Sequence, residues 1–125
     1  KGITKVVGIE SRGYIMGSIL ATRLGAGFVP VRKEGKLPAE VFKEEYELEY
    51  GNAAIEIHKD AICEDDIVLV HDDLLATGGT MEAARRLVEK NHPKAVYLNC
   101  IIELMELAGR KAFPSDTEIT SILQV

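Results

Sequence analysis

The stretch Ile67–Thr80 reads IVLVHDDLLATGGT: an apolar run, two adjacent carboxylates, a loop of small residues and the start of a helical pattern. The apolar run over Asp66–Val70 predicts a buried strand, and apolar residues at helical spacing predict a helix over Thr80–Glu89. A strand, a tight loop and a helix in this order favour an open α/β sheet. Such sheets bind ligands at the carboxyl ends of their strands, which is where this loop falls.

The loop after the strand has the chemistry of a phosphate site. Glycines let the backbone approach an anion closely, with several N–H groups facing it, and the helix that follows adds its positive dipole end. Threonine hydroxyls add further donors, whereas the Gly-Lys-Ser/Thr ending of a Walker loop is missing. The predicted phosphate-binding residues are Ala76, Thr77, Gly78, Gly79 and Thr80.

Asp72 and Asp73 precede this loop. In a continuing strand their side chains would point to opposite faces, so we expect both where the chain leaves the sheet, accepting hydrogen bonds from ribose hydroxyls. The alternative is a polar strand end followed by an ordinary turn. Alternation places His71 opposite Asp72, toward a helix, as a structural or ligand-adjacent residue. His58 and His92 are expected at the surface.

A second strand, turn and helix opens the chain, with a strand over Lys5–Glu10 and a helix over Gly13–Leu24 that ends at Gly25. Ser11 and Arg12 lie between them, in the same geometry as the phosphate loop. The alternative is that Ser11 caps the helix and Arg12 is solvated. The residues expected on the core face of this helix are Tyr14, Met16, Ile19 and Leu20.

The remaining elements complete an α/β pattern. The expectations are strands over Gly27–Arg32, Ala95–Ile102 and Ile119–Val125, a loop over Glu34–Glu45, a hairpin of Tyr46–Tyr50 with Ala53–His58 around Gly51-Asn52, and a short helix and turn over Glu103–Phe113. Pro30 suggests an edge or irregular position. Residues 1–125 are therefore expected to form a single domain, an open, mostly parallel twisted sheet with helices on both faces.

Composition excludes several classes of function. The 125 residues carry 15 Lys plus Arg against 20 Asp plus Glu, a net charge of −5, which argues against nucleic-acid binding. No apolar run approaches the roughly 20 residues that span a bilayer, and no signal peptide is visible. Cys63 and Cys100 have neither metal-type nor redox-type spacing, and Cys100 is expected to be a buried small hydrophobe. We expect a cytoplasmic protein with no membrane partner.

HDDLLATGGT resembles the ribose-5-phosphate signature of the type I phosphoribosyltransferases. Three more segments resemble the adenine phosphoribosyltransferases within that family: GIESRG at 8–13, RKEGKLP at 32–38 and YELEYG at 46–51. The C-terminal SILQV is also similar to that family's ending. The resemblance covers nearly all of the chain. The HDDLLATGGT motif is shared by many phosphoribosyltransferases, whereas RKEGKLP and YELEYG are far more selective.

The resemblance implies a type I phosphoribosyltransferase fold with a flexible hairpin lid over Glu34–Tyr50. The implied reaction is that of purine salvage, in which adenine and 5-phosphoribosyl 1-pyrophosphate give AMP and pyrophosphate. It also implies a homodimer and magnesium. No side chain is a certain magnesium ligand, because the substrate holds the ion, with Asp72 and Asp73 as candidates.

The resemblance also assigns site residues. Ser11 and Arg12 would hold pyrophosphate oxygens, and the basic group Arg32, Lys33 and Lys36 would close over them. Glu49 and Tyr50, with Lys36, would be catalytic. Taken alone, the basic group is more simply an ordinary solvated patch, and Glu49 is more simply a hairpin surface residue.

Other readings remain open at this point. Glu34 stands where the family pattern has proline, which puts the stiffness of the basic loop in question. Another purine phosphoribosyltransferase is an alternative, as is a non-catalytic regulator of the same fold that senses phosphoribosyl pyrophosphate. The chain begins almost on its first strand, so an N-terminal segment that roofs the base pocket is expected to be absent.

Overall fold

The computed structural model describes residues 2–38, 40–48 and 51–125. Strands and helices alternate along them, as the pattern predicts. The strands are β1 (Lys5–Ile9), β2 (Gly27–Lys33), β3 (Val41–Leu48), β4 (Gly51–His58), β5 (Ile67–Leu75), β6 (Ala95–Glu103) and β7 (Ile119–Gln124). The α-helices are α1 (Gly13–Leu24) and α2 (Gly79–Glu89), and Met105–Leu107 and Gly109–Ala112 form short 3₁₀ helices.

One sheet contains all these strands, in the order β3-β4-β2-β1-β5-β6-β7. The run from β2 to β7 is parallel, while β3 and β4 form an antiparallel hairpin. The hairpin joins β2 only at Arg32 and Lys33. Among the described residues Pro30 is therefore paired on one side alone, with Gly8. The open, mostly parallel sheet is confirmed, and its geometry brings the ends of β1, β2 and β5 to one edge.

The two helices cover opposite faces of the sheet. Val7, Val29 and Val70 share a face, and they pack in one core cluster with the α2 residues Ala84 and Leu87. Alternation places Gly8, Phe28 and His71 on the other face, beneath α1, where a Cβ at Gly17 would lie 3.1 Å from the Phe28 ring. Helices on both faces are thus confirmed.

Small residues make the contact between α1 and the sheet. The buried positions of α1 are Gly13, Gly17 and Ala21. The prediction of a large apolar core face is wrong for Ile19, which is 47% exposed, and Tyr14, Met16 and Leu20 are only half-buried. The close approach of helix and sheet leaves no room for larger side chains there.

The expected loop over Glu34–Glu45 is wrong from Val41 onward, because β3 begins there. Phe42, Glu44 and Tyr46 are half-buried, whereas the residues between them are exposed. Glu44 lies on the inner face of β3 because it forms ion pairs with α2. A charged residue at an inner position interrupts the alternation of apolar and polar residues from which a strand is predicted. The predicted turn at Gly51-Asn52 is also wrong, because both residues belong to β4 and pair with Leu48 and Glu47 of β3.

Strand β5 extends past its predicted end. Pairing with β6 continues to Leu74↔Ile102 and Leu75↔Glu103. The expectation that the chain leaves the sheet at Asp72 and Asp73 is therefore wrong, because both lie within the strand. Their carboxyl groups nevertheless interact with each other, so strand alternation does not separate them. Cys100 is fully buried, as predicted. No helix in the described part of the chain is long and apolar enough to cross a membrane.

Candidate active site

The predicted phosphate loop, Ala76–Thr80, turns sharply at Gly78. Its φ of +91° is in the left-handed region, and a Cβ there would lie 2.5 Å from the carbonyl oxygen of Gly109. Gly109 is constrained in return, because its own Cβ would collide with the carbonyl oxygen of Ala76. Only glycine satisfies both the backbone angle and the contact at position 78. The shape of the loop is therefore constrained by a 3₁₀ segment that lies about thirty residues further along the chain.

Helix α2 begins immediately after this turn, at Gly79. No side chain among the described residues caps its first turn. The first N–H groups of an α-helix have no partner within it, so they are available to an anion here. Thr77 is exposed beside them. This arrangement is what the sequence predicted for phosphate binding.

A cavity of about 180 Å³ joins the two predicted loops. Seven of the predicted site residues line it: Arg12, Asp72, Ala76, Thr77, Gly78, Gly79 and Thr80. Its other lining residues are apolar, namely Leu74, Leu75 and Met81, and the sequence reasoning missed them. Leu74 and Leu75 lie within the HDDLLATGGT motif, between the acidic pair and the glycines, so their place in the sequence could have identified them as cavity residues.

Arg12 links the Ser11–Arg12 turn to the acidic pair. Its Nε lies 3.1 Å from Asp73 Oδ2, and the Asp73 N–H donates to Asp72 Oδ1 over 2.9 Å. The other oxygen, Asp73 Oδ1, is buried and has no hydrogen-bond partner within the described residues. The peptide bond between Glu10 and Ser11 is cis. Ser11 does not cap α1, so that part of the alternative is wrong, whereas the Arg12 side chain is 71% exposed, as the alternative expected.

The two carboxylates of the pair lie in different electrostatic surroundings. Burial, together with the adjacent Asp73 carboxylate, raises the pKa of Asp72 to about 7. A backbone N–H and the Arg12 guanidinium oppose this shift without cancelling it. Asp72 therefore exchanges its proton near neutral pH, and a ligand that donates hydrogen bonds to it favours the ionised form.

The basic group gathers around Glu10, which the sequence reasoning did not select. Lys36 Nζ lies 2.6 Å from Glu10 Oε2, the Lys33 N–H donates to Oε1 over 2.8 Å, and Arg32 Nε is 3.6 Å from Oε1. Glu10 directly precedes Ser11 in the chain, so the basic group lies beside the Ser11–Arg12 turn. None of its three residues lines the 180 Å³ cavity.

His71 is fully buried beneath α1. Its Nδ1–H donates to Asn99 Oδ1 over 2.8 Å, and Asn99 Nδ2 donates to Thr120 Oγ1 over 2.9 Å. Burial lowers the pKa of His71 below its usual value. These contacts agree with a structural role. His92 is exposed as expected, but His58 is half-buried, so its predicted surface position is wrong.

Two predicted catalytic residues, Glu49 and Tyr50, fall outside the described residues, so their positions remain predictions. The described His, Cys, Asp and Glu side chains include no group of three that could hold a metal ion.

The phosphoribosyl transferase domain family matches residues 1–123, and the chain belongs to this family. Within it, the chain is similar to adenine phosphoribosyltransferases. It is 67% identical to that of Bacteroides fragilis over 119 residues, which are 95% of this chain and 67% of the relative.

Solved structures agree with this similarity. The adenine phosphoribosyltransferase of Rhodothermus marinus superposes with a TM-score of 0.94 at 55% identity, over 98% of this chain and 70% of that one. The Saccharomyces cerevisiae enzyme, solved with an imino-altritol bisphosphate and adenine, gives 0.92 at 45% identity, over 97% and 68%.

Proposed function

We propose that this chain is an adenine phosphoribosyltransferase of purine salvage, forming AMP and pyrophosphate from adenine and 5-phosphoribosyl 1-pyrophosphate. One observation carries the assignment: Arg12, Asp72 and the Ala76–Thr80 loop line one cavity at the carboxyl edge of the sheet. Anion donors and carboxylate acceptors next to each other match a phosphorylated sugar. The identity to adenine phosphoribosyltransferases supports adenine as the base.

Different groups of site residues bind different parts of the substrate. The N–H groups and hydroxyls of Ala76–Thr80 bind the 5-phosphate, and Asp72 and Asp73 accept hydrogen bonds from the ribose hydroxyls. Ser11 and Arg12 hold the pyrophosphate. Cleavage of the C1–oxygen bond develops positive charge on the sugar and negative charge on the leaving group. Fixed donors around the pyrophosphate stabilise the second of these charges.

Arg32, Lys33 and Lys36 complete the pyrophosphate site from the neighbouring strand end. Lys36 neutralises charge on the departing oxygen, and Glu49 and Tyr50 act next to the reacting carbon and the base. Support for the last two is the YELEYG resemblance. The hairpin β3–β4 that carries them acts as the lid, shielding the reaction from water.

Magnesium fits the carboxylates that are present. Asp73 Oδ1 is buried without a partner among the described residues, and Asp72 lies next to it, which gives two oxygen ligands and no all-protein cage. Mg²⁺ is commonly held by one or two carboxylates together with substrate oxygens and water. When bound, the ion would offset charge on the diphosphate. Asp72 and Asp73 are the residues that would hold it.

A base panel tests the proposal directly. The chain is incubated with phosphoribosyl pyrophosphate, magnesium and adenine, guanine, hypoxanthine or xanthine, and nucleotide and pyrophosphate are measured. We expect AMP to be the main product. Formation of GMP, IMP or XMP instead would assign a different purine. Tight binding of phosphoribosyl pyrophosphate without any product would indicate a sensing module.

We also propose a homodimer in the cytoplasm. Ile15 and Ile19 are 70% and 47% exposed on the outer face of α1, four residues apart, which supports an apolar contact with a second copy. Cys63 and Cys100 are both free thiols, in keeping with a reducing compartment.

A further inference from the structure

The Glu10 carboxylate is the common partner of the basic group. Its side chain is 11% exposed, and it receives Lys36 Nζ at 2.6 Å and the Lys33 N–H at 2.8 Å. The hydrogen bond from Lys36 is the largest cause that lowers the pKa of Glu10 below its usual value. An ionised carboxylate thus lies among residues that are proposed to bind a polyanion.

The backbone of the same turn is held by other groups. The Gly35 N–H donates to Glu56 Oε1 over 3.1 Å, and the Glu34 N–H donates to the carbonyl of Ala54 over 3.2 Å. The Glu34 carboxylate pairs with Lys43 Nζ at 2.9 Å. Strands β3 and β4 therefore fix the turn without help from Lys36. The contact between Glu10 and Lys36 fixes only a side chain, which points to a role other than folding of the turn.

We propose that Glu10 is a positioning residue that holds the Lys36 ammonium group beside the Ser11–Arg12 turn before the substrate arrives. Lys36 then exchanges the carboxylate for the pyrophosphate, while Glu10 keeps the Lys33 N–H. A lysine side chain has four flexible torsions, so one already held in place loses less conformational entropy on binding. The inference rests on the proposed function, because pyrophosphate is the anion in question.

A double-mutant cycle tests whether Glu10 acts through Lys36. Glu10→Gln keeps the size and the acceptor for Lys33 but removes the charge. Pyrophosphate affinity is measured by calorimetry, and KM is measured for both substrates. We expect Glu10→Gln to weaken pyrophosphate binding and raise the KM for phosphoribosyl pyrophosphate about fivefold, with the KM for adenine unchanged. In a Lys36→Met background, most of the effect of Glu10→Gln should disappear, and only what Glu10 does through Arg32 should remain.

Glu89→Gln is the control, since it makes the same chemical change in an ion pair with Arg85 at the end of α2, outside the residues proposed to bind pyrophosphate. It should bind pyrophosphate like the wild type. If Glu10→Gln does not fold, Glu10→Asp keeps the charge on a shorter arm, and its smaller loss should likewise shrink with Lys36→Met.

Equal losses from Glu10→Gln with and without Lys36 would overturn the inference, because Glu10 would then act on the fold. Unchanged pyrophosphate affinity in Glu10→Gln would overturn it too. Either result leaves the proposed function standing. A wild-type chain that bound neither pyrophosphate nor phosphoribosyl pyrophosphate would overturn both.

Discussion

Asp72 combines a proposed role in ribose binding with a cost to the stability of the free protein. Its pKa of about 7 in the folded chain lies above the ordinary 3.8, so between these values folding takes up a proton. The free energy of unfolding therefore falls as pH rises from about 4 to 7, and the cost persists at higher pH. A ligand that hydrogen-bonds to the ionised carboxylate recovers this cost on binding.

Asp72→Asn should therefore raise the stability of the protein while lowering its activity. At pH 8 the variant should melt several degrees above the wild type, and at pH 4 the two should melt together. Its kcat/KM for phosphoribosyl pyrophosphate should fall about 10- to 100-fold, the value of one charge-assisted hydrogen bond. Calorimetric melts and initial rates at both pH values provide the measurement.

Asp65→Asn, at an exposed carboxylate, is the control and should change neither property. A variant at position 72 that is less stable than the wild type at pH 8 would contradict the assignment of the raised pKa. An unchanged kcat/KM would remove Asp72 from ribose recognition.

At this scale the sequence predicted the residues that belong to short motifs. Arg12, Asp72 and the phosphate loop lie close together as expected. Glu10 was missed because its partners Lys33 and Lys36 lie 23 and 26 residues away in sequence. Only the parallel pairing of β1 with β2 brings them together, and no local pattern records that contact.

The hairpin β3–β4 is attached to α2 by an ionic contact. Glu44 Oε2 lies 2.9 Å from Arg86 Nε, and Oε1 lies 3.4 Å from Lys90 Nζ. Burial acts to raise the pKa of Glu44, but the two cations hold it below its usual value. Because α2 starts at the phosphate loop, this contact connects the proposed lid to the phosphate site.

Glu44→Gln should loosen the hairpin. We expect limited proteolysis within 34–50 to become several-fold faster, consistent with the loss of about 1 kcal/mol for a partly exposed pair. Phosphoribosyl pyrophosphate and magnesium should protect the segment in both proteins. Glu47→Gln, on the exposed side of β3, should be cleaved like the wild type.

Rapid cleavage that ligand does not slow would reject the lid. Equal cleavage of Glu44→Gln and the wild type would show that the ion pairs do not restrain it.

The sequence predicted where α1 lies in the chain, but it did not predict which face of α1 packs against the sheet. The period of α1 was correct, but Gly13, Gly17 and Ala21 face the sheet, since Phe28 already fills the space beneath Gly8 and Gly17. The first part of strand β3, residues 41–45, was predicted as loop for a related reason, because Glu44 is on the inner face. In both cases a neighbouring element determined the outcome.

For the whole molecule, alternation of strands and helices was enough to predict a parallel sheet and the edge that carries the site. The sheet order could not be read from the sequence, because strand neighbours such as β1 and β5 lie about sixty residues apart along the chain. The long-range contacts that decide it are made by apolar side chains that look alike in every strand.

The apolar outer face of α1 leads to a prediction about assembly. Ile19→Lys should shift the protein from dimer to monomer in sedimentation velocity, because a buried charge opposes an apolar contact. Ile122→Lys, at a 73% exposed isoleucine on β7, should leave the dimer intact. A dimer that survived the first change but not the second would place the interface at the sheet edge.

The contact between Gly78 and Gly109 limits how far this site could be transplanted. IVLVHDDLLATGGT reads as a self-contained signature, yet its turn rests against a carbonyl that belongs to another segment. Grafting the fourteen residues of 67–80 onto a foreign sheet would transfer the hydrogen-bond donors without the segment that constrains the turn. The smallest portable unit is the loop together with the 3₁₀ segment Gly109–Ala112 and the strand β6 that leads to it.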